Sequence, residues 1–252
     1  MTERVQKALA RAGLGSRRQA DRWVAEGRVT VNGVTAEPGT RVGPGDEVRL
    51  DGRAVELDAG DLPTRVLAYY KPEGEVCTRS DPQGRPTIFD RLPEPAIGRW
   101  IQVGRLDLNS AGLILLTTDG HLAEALMHPS RQIEREYVAR VRGTPSPATR
   151  ERLLQGLDLE DGPARFTRVE KRPARGRHAS LAVTLTEGRK REVRRLLETA
   201  GHPVSRLLRV RFGPVHLPRD LEPGEYRELE PDEVAGLRRA AGLNPEPEQG
   251  QP

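Results

Sequence analysis

The chain of 252 residues is long enough for one sizeable core or for a small domain followed by a larger one. Its net charge of +4 favours a polyanionic partner, and the concentration of basic residues between Arg165 and Arg211 predicts a binding face there. A single cysteine excludes an internal disulfide framework. The sequence has neither a long apolar run nor a signal-peptide core, which argues against a membrane-spanning or secreted protein, so we expect a cytoplasmic protein.

The first 60 residues are predicted to form a small domain of two helices and a hairpin. Apolar residues at helical spacing indicate both helices, and Ser16 is a typical N-cap for the second. Asn32-Gly33, the favoured two-residue hairpin loop, separates the strands 29–31 and 34–36, and 47–50 forms a further strand. Basic side chains that could contact RNA follow this unit: Arg4, Lys7, Arg11, Arg17 and Arg18.

A larger domain is predicted over residues 61–241, and a linker over 58–63 leads into its first strand. The apolar run 65–70 opens it as a strand. A polar loop with Arg79 and Arg85 follows, and 90–93 is predicted to be a turn after a short helix.

The centre of this domain is a polar turn between two apolar runs. Residues 101–103 lead in as a short strand, and 113–118 lead out as a buried one. Asp107 and Arg105 lie in the turn between them, where a rigid core would give a carboxylate a fixed direction. An Asp in a turn is nevertheless common for its backbone hydrogen bonds alone, so placement by itself does not make Asp107 catalytic.

The second half alternates strands and helices. Apolar alternation over 134–141 predicts a half-buried strand that carries Tyr137, and 181–186 forms another strand. Gly188 then starts a turn into a helix that ends near 197, and a last helix covers about 231–241 before a polar tail, 242–252, that is predicted to be disordered. The turn and helix carry the densest basic cluster of the chain: Arg189, Lys190, Arg191 and Arg194.

Two stretches resemble known families. Ser16-Arg17-Arg18, Gly27-Arg28-Val29 and Val31-Asn32-Gly33 resemble the S4 RNA-binding domain. Gly104-Arg105-Leu106-Asp107, followed by Ser110-Ala111-Gly112-Leu113 and Thr117-Thr118-Asp119-Gly120, is similar to the signature of RNA pseudouridine synthases of the RsuA/RluB branch, and the run 65–93 resembles its large-subunit type.

The resemblance implies a fold and site roles. The fold is an α+β class with a small S4-like domain and a catalytic domain around a mixed, mostly antiparallel sheet. By the family pattern, Asp107 is the catalytic residue, Tyr137 stacks on the target uracil, and Arg194 pairs with Asp107. Arg105 resembles the arginine that fills the space left by the flipped nucleotide.

The implied reaction converts a uridine of 23S ribosomal RNA to pseudouridine. Asp107 could attack C1′ as a nucleophile or remove the C2′ proton as a base, and the sequence does not separate the two. The change is redox-neutral, and the chain has neither phosphate-binding glycine motifs nor metal-ligand spacing, so we expect no cofactor and no metal.

The sequence alone leaves other functions open. The enzyme could act on 16S rather than 23S RNA, or the chain could be a non-catalytic RNA-binding or ribosome-assembly protein. The second alternative explains the charge but not the combination of Asp107, Tyr137 and Arg194. A glycoside or nucleoside hydrolase would need a pair of carboxylates, and the sequence offers one credible candidate. No feature predicts an oligomer interface, so we expect a monomer.

Overall fold

The computed structural model describes residues 2–57, 64–95, 98–173 and 178–244. The chain divides into two compact units: one holds residues 1–64, 93–101 and 118–120, and the other holds the rest. The predicted linker up to residue 63 falls largely outside the described residues, as does most of the predicted tail.

The first unit packs two helices against short strands. Ser16 Oγ accepts a hydrogen bond from the Gln19 amide at 3.1 Å, and the Gln19 side chain bonds back to the Ser16 amide, a capping box that sets where the second helix begins. The elements are β1 (Glu3–Arg4), α1 (Val5–Arg11), α2 (Arg17–Ala25), β2 (Val29–Val31), β3 (Val34–Thr35), β4 (Arg41–Val42), β5 (Val48–Leu50) and β6 (Arg53–Val55). One sheet has the strand order β3-β2-β5-β6, and β1 pairs with β4 in another.

The core of this unit is aliphatic. It joins one face of each helix to the inner face of the sheet, as the helical spacing of the apolar residues requires. Its buried members are Val5, Ala8, Leu9, Ala20, Val24, Val29, Ala36, Val42 and Val48.

The second unit is built on one large sheet with helices beside it. Its strands are β7 (Val66–Lys71), β8 (Ile101–Val103), β9 (Ala111–Thr117), β10 (Arg135–Arg142), β11 (Leu157–Leu159), β12 (Gly162–Ala164), β13 (Arg168–Arg172), β14 (His178–Leu185), β15 (Val204–Phe212), β16 (Val215–His216) and β17 (Tyr226–Glu228). Its helices are α3 (Gly120–Met127), α4 (Pro147–Gln155), α5 (Glu192–Thr199) and α6 (Pro231–Ala240), with a 3₁₀ turn at Pro129–Arg131.

The large sheet has the order β13-β14-β10-β15-β9-β7-β17, with β16 beside β15 and β8 beside β9. The pairs along that order are antiparallel except β15 and β9, which run parallel. This confirms the predicted mixed, mostly antiparallel sheet. One buried core includes Tyr137 together with Leu106 and Val193, which directly precede Asp107 and Arg194 in the chain.

A glycine allows the parallel pairing of β9 with β15. Gly112 on β9 lies opposite Arg209 on β15 and has a φ of +109°, which side-chain-bearing residues rarely adopt. A Cβ there would collide with the backbone of Arg209. Gly112 therefore lets the end of the polar turn, just after Ser110, lie directly against β15.

The structure confirms most predicted elements and corrects one. The two N-terminal helices, the hairpin, the strand that carries Tyr137 and the last helix lie where they were predicted. The prediction of a short helix before residue 90 is wrong, because residues 88–91 form a turn. The Asp90 carboxylate closes that turn by accepting hydrogen bonds from the amide and hydroxyl of Thr87, at 2.8 and 2.7 Å.

Candidate active site

A cavity of about 1130 Å³ opens in the second unit and is lined by two of the three catalytic candidates. Asp107 and Arg105 line it from the polar turn, and Tyr137 lines it from β10. The turn before α5 contributes the third wall, which includes Arg189, Lys190 and Arg191. Segments far apart in the sequence are thus joined around one space that is large enough for a nucleotide.

The loop that carries Asp107 is held along its whole backbone. The carbonyl oxygens of residues 106 to 110 all accept a hydrogen bond. In chain order, the donors are the Cys77 thiol (3.4 Å), the Ser110 amide (3.0 Å), the Gly74 amide (2.9 Å), the Arg194 guanidinium (2.6 Å) and the Lys71 ammonium (2.8 Å). Such a loop presents the half-exposed Asp107 carboxylate in one direction, as catalysis requires.

Two buried cations hold the end of this loop. Lys71 is fully buried, and its Nζ also donates to the Pro72 carbonyl at 2.9 Å. Arg194 is 8% exposed, and it also donates to the Val204 carbonyl at 3.1 Å and to Ser110 Oγ at 3.4 Å. Burial lowers the pKa of both side chains, while the charge of Asp107 acts in the opposite direction on each.

Arg194 therefore donates hydrogen bonds to the backbone and the Ser110 hydroxyl of the loop that carries Asp107, and not to the Asp107 carboxylate. In the part of the chain that the structure describes, no ion pair within 4.0 Å joins the Arg194 guanidinium to the Asp107 carboxylate. The two interact through charge, and Arg194 fixes the backbone two and three residues after Asp107.

Tyr137 lies in the cavity wall with a buried arginine two residues before it. Tyr137 is 8% exposed, so one part of its ring is packed in the core and the rest meets the cavity. Arg135 Nη1 donates to the carbonyls of Ile133, Thr186 and Glu187, at 2.8, 2.8 and 3.2 Å. Arg135 thereby ties β10 to the turn that carries the basic cluster, and burial lowers its pKa.

The basic cluster separates into engaged and available side chains. Arg189 forms ion pairs with Asp161, Glu187 and Glu192 and donates to the Pro163 carbonyl at 2.7 Å. Lys190 and Arg191 are exposed and have no such partner among the described residues. Of the cluster, these two are free to contact a phosphate.

The polar loop after β7 is itself tied together. Arg85 makes a two-pronged pair with Asp81, at 2.7 and 2.9 Å, and this pair lowers the pKa of the Asp81 carboxyl to about 2. Arg79 lies over the Phe89 ring at 4.4 Å and remains exposed.

In the first unit, the five predicted RNA contacts are all exposed. Arg11 pairs with Glu3 at 2.9 Å. The other four have no ion pair or hydrogen bond from their side chains within the described residues: Arg4, Lys7, Arg17 and Arg18.

Three residues of the site were not predicted: Cys77 and Arg209 line the cavity, and Lys71 holds the loop that carries Asp107. Lys71 carried a signal that could have been used, because a lysine that ends an apolar strand is unusual in a chain with four lysines. Cys77 bonds to the backbone of Leu106 in both directions at 3.4 Å, and nothing in the sequence indicates this. Arg209 is fully buried on β15, yet in the sequence it looks like its exposed neighbour Arg206.

Comparison with known proteins places this geometry in a family. Residues 65–199 match the RNA pseudouridylate synthase family, and residues 3–48 match the S4 domain. The curated ribosomal large subunit pseudouridine synthase B of Pseudomonas aeruginosa is 54% identical over 245 residues, which cover 96% of this chain and 64% of that protein. The protein of the same name from Escherichia coli K12 is 51% identical over 98% of this chain and 86% of its own length.

The fold has a counterpart among solved structures. A crystal structure of a pseudouridylate synthase matches with a TM-score of 0.65 and 26% identity, covering 93% of this chain and 99% of that one. Among the described residues, no helix is long and apolar enough to cross a membrane, and no three His, Cys, Asp or Glu side chains are grouped to hold a metal ion.

Proposed function

The chain belongs to the RNA pseudouridylate synthase family, and from that premise we propose that it isomerises a uridine of 23S ribosomal RNA to pseudouridine, with Asp107 acting at the ribose. The relatives named above are called large-subunit enzymes, which favours 23S over 16S RNA as the substrate. Residues 61–241 supply the catalytic domain, and residues 1–60 supply an RNA-binding domain of the S4 type.

One observation supports the role of Asp107 above all. The five consecutive loop carbonyls around it are bonded, so its carboxylate is preorganised at a cavity that also contains an aromatic ring. An RNA-binding protein that only needed charge would gain nothing from a rigidly held carboxylate, since a negative charge repels phosphate. A catalyst of glycosidic bond cleavage needs one.

The reaction can be written for these residues. The uridine leaves its stack, at a cost of a few kcal/mol, and its base packs against Tyr137. The C1′–N1 bond breaks with its electron pair going to the uracil, while Asp107 either bonds to C1′ or takes the C2′ proton. The uracil then turns, and C5 bonds to C1′ while the Asp107–C1′ bond breaks or, in the other route, the proton returns to C2′. The C5 proton leaves and N1 gains a proton, so atoms and electrons balance without a co-reactant.

RNA is held by exposed basic side chains that have no ion pair or hydrogen bond among the described residues. Two of them lie at the cavity, Lys190 and Arg191, and four lie in the first unit: Arg4, Lys7, Arg17 and Arg18. They supply sequence-independent contacts to phosphates. Arg105 is exposed at the cavity wall and is available to fill the place of the flipped base. We infer that the protein acts as a monomer, in the cytoplasm where ribosomal RNA is modified.

The proposal is tested by pseudouridine mapping on unmodified 23S and 16S RNA, incubated with the purified chain and no added cofactor. The wild-type protein is expected to produce one new pseudouridine, in 23S RNA, and Asp107→Asn to produce none. Asp158→Asn, which changes an exposed carboxylate of β11 outside the cavity, is the matched control and keeps full activity.

The other functions give different results. A pseudouridine in 16S RNA alone would transfer the activity to the small subunit. Tight binding of RNA without any pseudouridine would favour the ribosome-assembly function and overturn the proposal. Full activity of Asp107→Asn would leave an enzyme in place but remove Asp107 from its chemistry.

A further inference from the structure

Arg209 is a buried cation without a counter-ion beside it. It lies on β15, is 2% exposed and is the largest of the fully buried side chains. Its Nε donates to the Leu113 carbonyl at 2.7 Å, and its guanidinium lies 5.4 Å from the centre of the Phe212 ring. Its Nη2 has no hydrogen-bond partner, and no carboxylate lies within 4.0 Å of the guanidinium in the described ranges.

This state is costly for a protein to maintain. A buried guanidinium loses its hydration, and folded proteins normally compensate by pairing it or by filling its donors with carbonyls. The two other buried arginines of the site do this: Arg135 and Arg194 each direct their Nη groups to three acceptors of the protein. Arg194 leaves only its single Nε–H without a partner, whereas Arg209 leaves an entire Nη group unfilled. An unfilled buried donor calls for an explanation such as a ligand.

Arg209 also has the right position for a substrate contact. It is the direct cross-strand partner of Tyr137 in the antiparallel pair of β10 and β15, and opposite residues of such a pair hold their Cβ atoms about 5 Å apart on one face. Both side chains line the cavity that Asp107 lines. A base that packs against Tyr137 would therefore lie beside the Arg209 guanidinium.

We propose that Arg209 is a further catalytic residue, which donates a hydrogen bond to a carbonyl oxygen of the target uracil and stabilises the negative charge that the base acquires when the C1′–N1 bond breaks. The electron pair of that bond spreads over N1 and the two carbonyl oxygens of the departing uracil. A fixed cation in a cavity that excludes water stabilises such charge far more than it does in solution. This inference rests on the proposed function, because it needs a uracil as the leaving group.

The test measures single-turnover pseudouridine formation at saturating RNA, together with the Kd for RNA. Arg209→Met removes the charge but keeps an unbranched side chain, and Arg206→Met changes an exposed arginine of the same strand as a matched control. We expect Arg209→Met to lower the rate constant by about a hundredfold or more with little change in Kd. Arg206→Met should keep the wild-type rate constant.

A substrate change distinguishes a contact to the base from a structural role. The target uridine is replaced by 2-thiouridine or 4-thiouridine, in which sulfur is a poorer hydrogen-bond acceptor. If Arg209 contacts one of these oxygens, sulfur at that position changes the wild-type rate and has a different effect in Arg209→Met, so the two changes are not additive. Should the Met variant fold poorly, Arg209→Lys is used in the same comparison.

Additive effects at both oxygens, or a wild-type rate constant in the folded Arg209→Met variant, would overturn the role of Arg209 while the enzyme itself remains established. Absence of pseudouridine with the wild-type chain would instead overturn the proposed function, and this inference with it. The two failures are therefore told apart by the wild-type reaction alone.

Discussion

Lys71→Met tests whether the loop that carries Asp107 is held by the buried ammonium. The substitution removes two charge-assisted hydrogen bonds, to the carbonyls of Ser110 and Pro72, and replaces the side chain with an unbranched apolar one. Each carbonyl left unpaired costs about 1–3 kcal/mol, and the relief of the buried ammonium offsets part of this. We therefore expect the second unit to lose about 2–4 kcal/mol of stability.

Two probes report on the two units separately. Both tryptophans, Trp23 and Trp100, belong to the first unit, so the unfolding transition followed by their fluorescence should not move. Hydrogen exchange of the β9 amides, at Ala111–Thr117, should become about 30- to 700-fold faster, as 2–4 kcal/mol requires. Pseudouridine formation should fall about a hundredfold, because a loop displaced by about 1 Å misplaces its carboxylate.

The matched control is Lys171→Met, which removes an exposed lysine of β13. It should change neither the exchange of β9 nor the rate of pseudouridine formation. If Lys71→Met leaves both quantities at the wild-type value, the hydrogen bonds to Ser110 and Pro72 do not hold the loop and the reasoning fails.

Arg189→Met is expected to destabilise the second unit by about 1–2 kcal/mol and to leave RNA affinity nearly unchanged. Arg191→Met should instead weaken RNA binding and reduce the slope of log affinity against log salt concentration by about one. Urea unfolding measures the first effect and filter binding at several salt concentrations the second, and an exchange of the two effects would contradict the prediction. Cys77, the only cysteine of the sequence, lines the cavity, and burial raises the pKa of its thiol. It should therefore react slowly with a thiol reagent at pH 7, and more slowly still when RNA is bound. Equal reaction rates with and without RNA would show that RNA does not cover Cys77. The pKa of Asp81 lies at about 2 because Arg85 binds the ionised carboxylate. The pair therefore contributes fully to folding stability above pH 3.8, the ordinary pKa, and this contribution is lost as the pH falls toward 2. A ¹³C titration of the carboxyl group measures the pKa, and Arg85→Met should return it toward 3.8.

The sequence predicted the elements whose signals are local. A capping residue at Ser16, an Asn-Gly loop and alternation over β10 are each determined by neighbours in the chain, and the structure has all three. The strands β1 and β6, of two and three residues, are too short to show a period, and they were missed. The helix expected before residue 90 failed because the Thr87–Asp90 hydrogen bonds close a turn instead.

The residues of the site also fall into those that the sequence predicted and those that only the structure reveals. Asp107, Tyr137 and Arg105 are part of a family pattern, and the structure puts all three at one cavity. Lys71 and Arg209 acquire their roles only when β7 and β15 pair with β9, an arrangement that the sequence alone did not specify. Before that pairing is known, a buried arginine cannot be distinguished from an exposed one on the same strand.

Arg135 and Arg194 each reach three acceptors at this site, whereas the Lys71 ammonium reaches two. Arg135 joins three carbonyls from two segments, and Arg194 joins a loop carbonyl, a hydroxyl and a β15 carbonyl, in each case with a planar fork that an ammonium cannot reproduce at the same positions. A chain with few large aromatics can therefore fix its active site by cross-linking backbone segments through buried cations. The same positive charge makes the cavity favourable for RNA, and where one Nη group of a guanidinium is left without a protein acceptor, as in Arg209, that group becomes available to the substrate.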